Sequence, residues 1–251
     1  MSKTCLIRCP AGLGDILFVQ KIGRKLIDKG YEIYWPVIRP FEYIKDYIDD
    51  INWIILPNDH PDEPIPNDIM FPGKHHWNHS HVVTESDHLF VNLHHPDQFW
   101  PEELIMKCKY KLVDLDYSDW SDYVHIKRDM DKENKLFYDV LNLKDDDEYC
   151  LVNSLYGSPP WSKDIDNIKT SGKYKQVDLK FISGYNPFDW RKVFEKASEI
   201  QTVDTCYAYI MEQLDLKVDK VNMYSRTRHP MAPSWYQTQF IFSKNIEWIH
   251  N

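Results

Sequence analysis

The stretch Thr4-Cys5-Leu6-Ile7-Arg8-Cys9-Pro10-Ala11-Gly12-Leu13-Gly14-Asp15-Ile16 decides the fold. Residues 4–9 read as a strand that must hand over to a helix beginning at Ile16. Two glycines two apart, Gly12 and Gly14 around Leu13, allow a sharp turn and a close approach of backbone N–H groups to a ligand. Asp15 then stands at the expected N-cap, where a carboxylate accepts from the first free helical N–H groups. Ile16, Val19, Ile22 and Leu26 recur at spacings of three and four, giving the helix one apolar face. Gly30 is its expected stop, and Tyr31 to Val37 resumes as a second strand. The result is a βαβ opening with its loop at the carboxyl end of the first strand, where ligands bind in open α/β sheets. The dinucleotide fingerprint is incomplete, because Leu17 stands where a third glycine is required. The loop is therefore either a ligand cradle or a tight turn with a capping aspartate.

A second strand-to-helix junction lies late in the chain, at Glu199-Ile200-Gln201-Thr202-Val203-Asp204-Thr205-Cys206-Tyr207. Ile200 to Val203 reads as a strand. Asp204 and Thr205 are set to cap a helix running to about Leu214, with Tyr207, Ile210, Met211 and Leu214 on one face. A hydroxyl and free N–H groups at such a start attract phosphate, although capping alone also explains an Asp-Thr pair.

Working outward from these junctions, Asn52 to Leu56 and Leu89 to Leu93 are strand candidates. The prolines and Asp/Asn between Pro57 and Gly73 mark a loop. Helices are expected over 42–50, 102–109 and 131–143. After the acidic turn Asp145-Asp146-Asp147 a second α/β set begins, with strands at Tyr149–Asn153, Val177–Ile182 and, closing it, Val221–Tyr224, and a helix over Pro187–Ala197. The boundary between the two halves is expected near residue 145.

Together the two junctions resemble those of GT-B glycosyltransferases of the ADP-heptose:lipopolysaccharide heptosyltransferase type. That family opens with a Gly-(Leu/Ile)-Gly-Asp loop and carries a late (Ser/Thr)-Val-Asp-Thr-Gly loop before a helix. Gly12-Leu13-Gly14-Asp15 and Thr202-Val203-Asp204-Thr205 match in the same order. Cys206 replaces the family's glycine, Tyr209 stands where a histidine is usual, and the chain is shorter than a typical member. The resemblance implies a divergent, compact relative: an α/β protein of two Rossmann-like domains facing a cleft, with residues 1–145 on the acceptor side and 146–251 binding a nucleotide-diphosphate sugar. It further implies inverting, metal-independent transfer to a glycan or glycolipid hydroxyl, with no cofactor. By position Asp15 is the candidate base, the alternative being that it only caps its helix. Asp204, Thr205 and the N–H groups of Cys206 and Tyr207 are the candidate diphosphate cradle. Relatives often place a phosphate-binding basic residue after the first strand of the second half, where Lys163 lies. Arg226 and Arg228 follow the Val221–Tyr224 strand and either face the phosphates or are solvated.

Composition agrees with an α/β globular protein: 251 residues, 43% hydrophobic and 27% charged. A formal net charge of −9 argues against a broad nucleic-acid surface. No stretch approaches the eighteen apolar residues of a transmembrane span, and no secretory signal is visible. Five scattered cysteines read as reduced thiols, so a cytoplasmic setting is expected. Nine Trp, sixteen Tyr and eleven Phe suit sugar stacking as well as core packing.

The rival signal is the histidine run His75, His76, His79, His81, His88, His94 and His95. Imidazoles ligate transition metals, but the spacing of His79-Ser80-His81 to Asp87-His88 fails the His-x-His-x-Asp-His pattern. A polar loop is the expected role. Three competitors to the glycosyltransferase reading follow. A non-catalytic nucleotide- or sugar-binding module would keep Thr205 and have no use for Asp15. A DNA-base glycosyltransferase would show a basic strip. A metal-dependent hydrolase would use the histidines.

Overall fold

The computed structural model describes residues 3–9, 12–56, 80–93, 104–157, 163–166, 168–226 and 238–250. The chain divides into two compact units, Met1–His125 and Ile126–Asn251. Each is built on a five-stranded, mainly parallel sheet.

In the first unit, β1 (Lys3–Arg8) leads into α1 (Leu13–Phe18) and α2 (Gln20–Asp28), followed by β2 (Tyr31–Ile38), a 3-10 turn over Arg39–Asp46 and β3 (Asn52–Leu56). Next come β4 (His81–Glu85), β5 (His88–Asn92), α3 (Ile105–Lys111) and a 3-10 turn at Trp120–Tyr123. The strand order is β3-β2-β1-β5-β4, parallel except for β4 on the edge. The helical stripe read from sequence is buried, with Ile16, Val19, Ile22 and Leu26 all inside. Gly30 ends α2 at φ +85, a left-handed position that suits glycine. The helix itself starts earlier than the sequence suggests. Its N-cap is Gly12, no side chain caps it, and Asp15 falls within the first turn, so Asp15 is not the cap. Gly12 adopts φ −67, and neither Gly12 nor Gly14 uses the left-handed region.

β4 was not legible as a strand because it follows the polar histidine run. It pairs with β5 through a tight turn in which Ser86 takes φ +55. Two of the histidines are thereby accounted for within the sheet. The His81 ring meets Phe90 edge-on at 5.3 Å, and His88 Nδ1 lies 2.6 Å from Thr4 Oγ1 on β1. His75, His76, His79, His94 and His95 lie outside the described residues.

The second unit begins with α4 (Met130–Asn134), which runs into a π-helical turn over Lys135–Val140. The strands β6 (Tyr149–Asn153), β7 (Leu155–Tyr156), β8 (Lys163–Asp164) and β9 (Lys175–Asp178) follow. A 3-10 turn at Pro187–Trp190, α5 (Arg191–Lys196), β10 (Glu199–Val203), α6 (Cys206–Met211), β11 (Val221–Tyr224) and β12 (Ile246–Ile249) complete it. The sheet order is β12-β11-β10-β6-β9, every pairing parallel, with β7 and β8 forming a separate short hairpin. β12 takes the edge beyond β11, so the strand over Val221–Tyr224 is interior and does not close the sheet.

The segment 126–145, which the sequence assigns to the first half, packs within the second unit. Glu133 is fully buried; it accepts from Arg128 Nε at 3.0 Å and from the Lys192 backbone N–H at 3.2 Å, and pairs with Arg191 at 3.3 Å. Arg191 in turn donates to the carbonyls of Ile126 (3.1 Å) and Lys127 (2.6 Å). Leu136 and Phe137 are fully buried, and Phe137 meets the Tyr149 ring of β6 at 6.3 Å. A buried carboxylate needs such partners, and two of them, Arg191 and Lys192, come from α5. No local sequence pattern announces that long-range pairing. β9 stops at Asp178 although the apolar alternation runs on to Phe181; the Leu179 N–H still bonds the Val152 carbonyl at 2.8 Å, and β6 itself ends at Asn153. Phe181 is 85% exposed as a result.

Candidate functional site

In both units the strand order reverses beside the first strand. From β1 the chain winds outward to β2 and β3, then returns to place β5 on the other side of β1. From β6 it goes to β9, then returns to place β10 on the other side of β6. Ligands in open α/β sheets bind outside the carboxyl ends of strands at such switch points. The two junctions singled out from sequence sit at these two places.

At the first switch point, β1 ends in the buried Arg8 and β5 in the buried Asn92, joined by a 3.3 Å hydrogen bond from Arg8 Nη1 to Asn92 Oδ1. Asp15, its side chain 28% exposed, forms an ion pair with Lys109 of α3, whose side chain is almost wholly enclosed. Lys109 Nζ also lies 3.9 Å from Cys9 Sγ. The helix carrying Lys109 is held by its neighbour Tyr110, which stacks edge-on against Phe18 at 5.0 Å and donates from its hydroxyl to the Phe18 carbonyl at 2.5 Å. Packing of α3 on α1 thus delivers the ammonium to the carboxylate. Burial pulls the Lys109 ammonium down, but the Asp15 and Cys9 charges and their hydrogen bonds outweigh it and leave its pKa above the ordinary lysine value. Burial pushes the Cys9 thiol up to about 11, so it is no thiolate nucleophile at neutral pH.

At the second switch point, Thr205 is the N-cap of α6, its Oγ1 accepting from the Tyr207 backbone N–H at 3.4 Å. That N–H is therefore engaged by the cap. Asp204 follows β10 directly, 2% exposed, its N–H bonded to the Tyr224 carbonyl of β11 at 3.0 Å. Asn153, the last residue of β6, stands opposite Thr202 in the register and donates from Nδ2 to Thr202 Oγ1 (2.9 Å) and Thr205 Oγ1 (3.3 Å). Arg226, exposed just past β11, is near enough to Cys206 to pull its thiol pKa down. Burial is the larger influence and sets it at about 12. Tyr207 is buried against Phe194, ring centroids 5.2 Å apart. Tyr209, at the position the resemblance flagged, is buried against Phe242 at 5.1 Å. Lys163 is exposed on β8, paired with Tyr156, two residues before the Ile165 N–H that bonds the Ser154 carbonyl. Arg228 lies outside the described residues.

The structure therefore brings Asp204, Thr205, Cys206, Tyr207 and Arg226 to the carboxyl ends of two neighbouring interior strands, β10 and β11, and sets Lys163 on the hairpin that follows β6. Asp15 is placed with Gly12, Leu13 and Gly14 at the other switch point. The sequence reading gave no site role to Lys109, Asn153 or Thr202. Lys109 was hidden in a Lys-Cys-Lys-Tyr-Lys run that reads as a solvated face. Asn153 carried a usable signal, a polar residue closing an otherwise apolar buried strand, as do Arg8 and Asn92. Among the described residues no group of three His, Cys, Asp or Glu is placed to hold a metal ion, and no helix is long and apolar enough to cross a membrane.

No family model and no curated relative matches the chain. Its fold is similar to that in the crystal structure of the glycosyl transferase family 9 protein from Veillonella parvula DSM 2008, with a TM-score of 0.53. The match has 12% identity and covers 99% of this chain and 87% of that one. At that identity the likeness shows a shared α/β fold with parallel sheets.

Proposed function

We propose that this protein is a GT-B-type glycosyltransferase, related to the heptosyltransferases, that moves a sugar from a nucleotide-diphosphate sugar to a hydroxyl of a glycan or glycolipid, without metal or cofactor and with inversion. The observation that carries the reading is the placement of the two resembling motifs. Each stands at the switch point of its own parallel sheet, in a chain whose fold resembles a glycosyl transferase family 9 protein along nearly its whole length.

In this reading the first unit takes the acceptor and the second the donor. Asp15 accepts the proton of the attacking hydroxyl as general base. Lys109, paired with it, fixes the carboxylate's direction. The Thr205 hydroxyl, the Cys206 N–H and the basic side chains of Arg226, Lys163 and Arg228 hold the diphosphate and stabilise it as it leaves. Asp204 orients the loop. The thiols take no part, because burial holds Cys9 and Cys206 protonated.

The test is a thermal-shift screen over nucleotide-diphosphate sugars, followed by a transfer assay with the best donor and a panel of glycan and glycolipid acceptors. A ligand present at about a hundred times its Kd stabilises the fold by about 2.7 kcal/mol, enough to raise Tm by several degrees. Binding without transfer to any acceptor would favour a nucleotide-binding module. No shift with any nucleotide sugar would reject the donor site.

A further inference from the structure

We propose that the exposed ring of Phe181, just past the carboxyl end of the edge strand β9, is the stacking platform for the nucleobase of the donor. The inference rests on the donor reading above and adds to it the part of the ligand beyond the diphosphate.

Phe181 is 85% exposed, whereas the next most exposed large hydrophobic side chain among the described residues, Met130, is 48% exposed. Val177 and Leu179, which precede Phe181 at the two-residue spacing of a strand, are both buried. An exposed phenyl forgoes the stabilisation that burial would bring, and a frayed chain is not the reason here. The backbone is tied on both sides of the ring. Before it, the Leu179 N–H donates to the Val152 carbonyl of β6 at 2.8 Å. After it, the Tyr185 N–H donates to the Ile182 carbonyl at 3.0 Å, closing a turn in which Gly184 takes φ +86. Asn186 and Asp189 then form a capping box that fixes the start of the 3-10 turn at Pro187.

The ring is thus held at the ligand end of the sheet. β9, β6 and β10 are parallel neighbours in that order, so their carboxyl ends share one rim. Two strand spacings set β9 about 10 Å from β10. A ligand at the switch point between β6 and β10 can run over β11 or over β6 towards β9. The β11 side ends in buried Tyr224 and Ser225 and the exposed cation Arg226, which suits phosphate. The β9 side offers an exposed aromatic ring, which suits a base, because stacking on an aromatic face requires no hydrogen-bond match. With the diphosphate at the switch point, the ribose spans the end of β6 and the base reaches Phe181.

The test measures binding of ADP, GDP, UDP, CDP and inorganic pyrophosphate by calorimetry on the wild type, Phe181→Ala, Phe181→Leu and Phe181→Trp, with a thermal melt of each. Because the ring is exposed, all three variants are expected to melt close to the wild type. Loss of the stacked ring is expected to weaken the tightest-bound nucleotide about tenfold in Phe181→Ala. Phe181→Leu keeps apolar bulk and loses the aromatic face, so a similar loss is expected there. Phe181→Trp keeps an aromatic face and is expected to bind within about threefold of the wild type. Pyrophosphate has no base, and its affinity is expected to be unchanged in every variant. Should pyrophosphate bind too weakly to measure, the contrast of leucine with tryptophan decides. Normal nucleotide affinity in Phe181→Leu, or an equal loss for nucleotide and pyrophosphate, overturns this inference and leaves the donor site standing. No binding of any nucleotide by the wild type overturns the donor site and this inference with it.

Discussion

The two switch points are built from the same topology and opposite chemistry. The first is charged: a partly exposed carboxylate, Asp15, held by the enclosed ammonium of Lys109, with Arg8 and Asn92 closing the neighbouring strand ends. The second is neutral at its centre: an amide and two hydroxyls, Asn153, Thr202 and Thr205, in one hydrogen-bonded cluster, with Arg226 at the rim. A fixed charge pair suits proton transfer, because its field is set before any substrate arrives. A cluster of hydroxyl and amide dipoles suits an anion, because it offers hydrogen-bond donors that are already oriented. One fold can thus carry either task, and the polar residues that close the strands decide which.

The comparison breaks first at Asp15. Asp15→Asn is expected to lower turnover by about a hundredfold or more with nucleotide affinity little changed. The same change also leaves Lys109 enclosed without its carboxylate, so stability falls too. Asp15→Asn combined with Lys109→Met removes both charges. If Asp15 is the base, the pair recovers melting temperature and stays inactive; recovery of transfer would make Asp15 structural.

Next comes Thr205, where the valine variant is expected to retain transfer chemistry at saturating donor while binding it about tenfold more weakly. A fall in turnover at saturation instead would mean that the second cluster does more than bind. Smaller effects are expected at the exposed cations. Arg226→Ala and Lys163→Ala should each weaken nucleotide binding by a few-fold at most, a loss of about 0.2–1 kcal/mol that shrinks with added salt. An unchanged salt dependence in either variant would remove that residue from the rim.

The smallest effect concerns the cysteines at the two sites. Both thiols are pushed up by burial, Cys9 to about 11 and Cys206 to about 12, from an ordinary 9.0. Native protein at pH 8 should resist iodoacetamide, with half-buried Cys206 labelling before buried Cys9. Cys5 and Cys150 are raised to about 12 as well. In the unfolded chain these groups lose their protons near pH 9 while the folded chain keeps them, so the folded state binds more protons between 9 and 12. Stability therefore falls with rising pH across that window, and urea midpoints from pH 8 to 11 check the sign.

What the sequence determined by itself was local. Apolar runs of strand length, a stripe at helical spacing in Ile16, Val19, Ile22 and Leu26, and the stop at Gly30 are short-range patterns, and the elements follow them. Thr205 as a cap is likewise a matter of neighbouring residues. Only the tertiary structure decided what pairs across long separations. Lys109 reaches Asp15 because Tyr110 packs on Phe18, and the segment 126–145 joins the second unit because Arg191 satisfies a buried Glu133. Asn153 meets Thr202 because two parallel strands set them at the same height. Such pairings have no period or spacing to read, since they arise from burying charged and polar groups that must then find partners elsewhere in the chain.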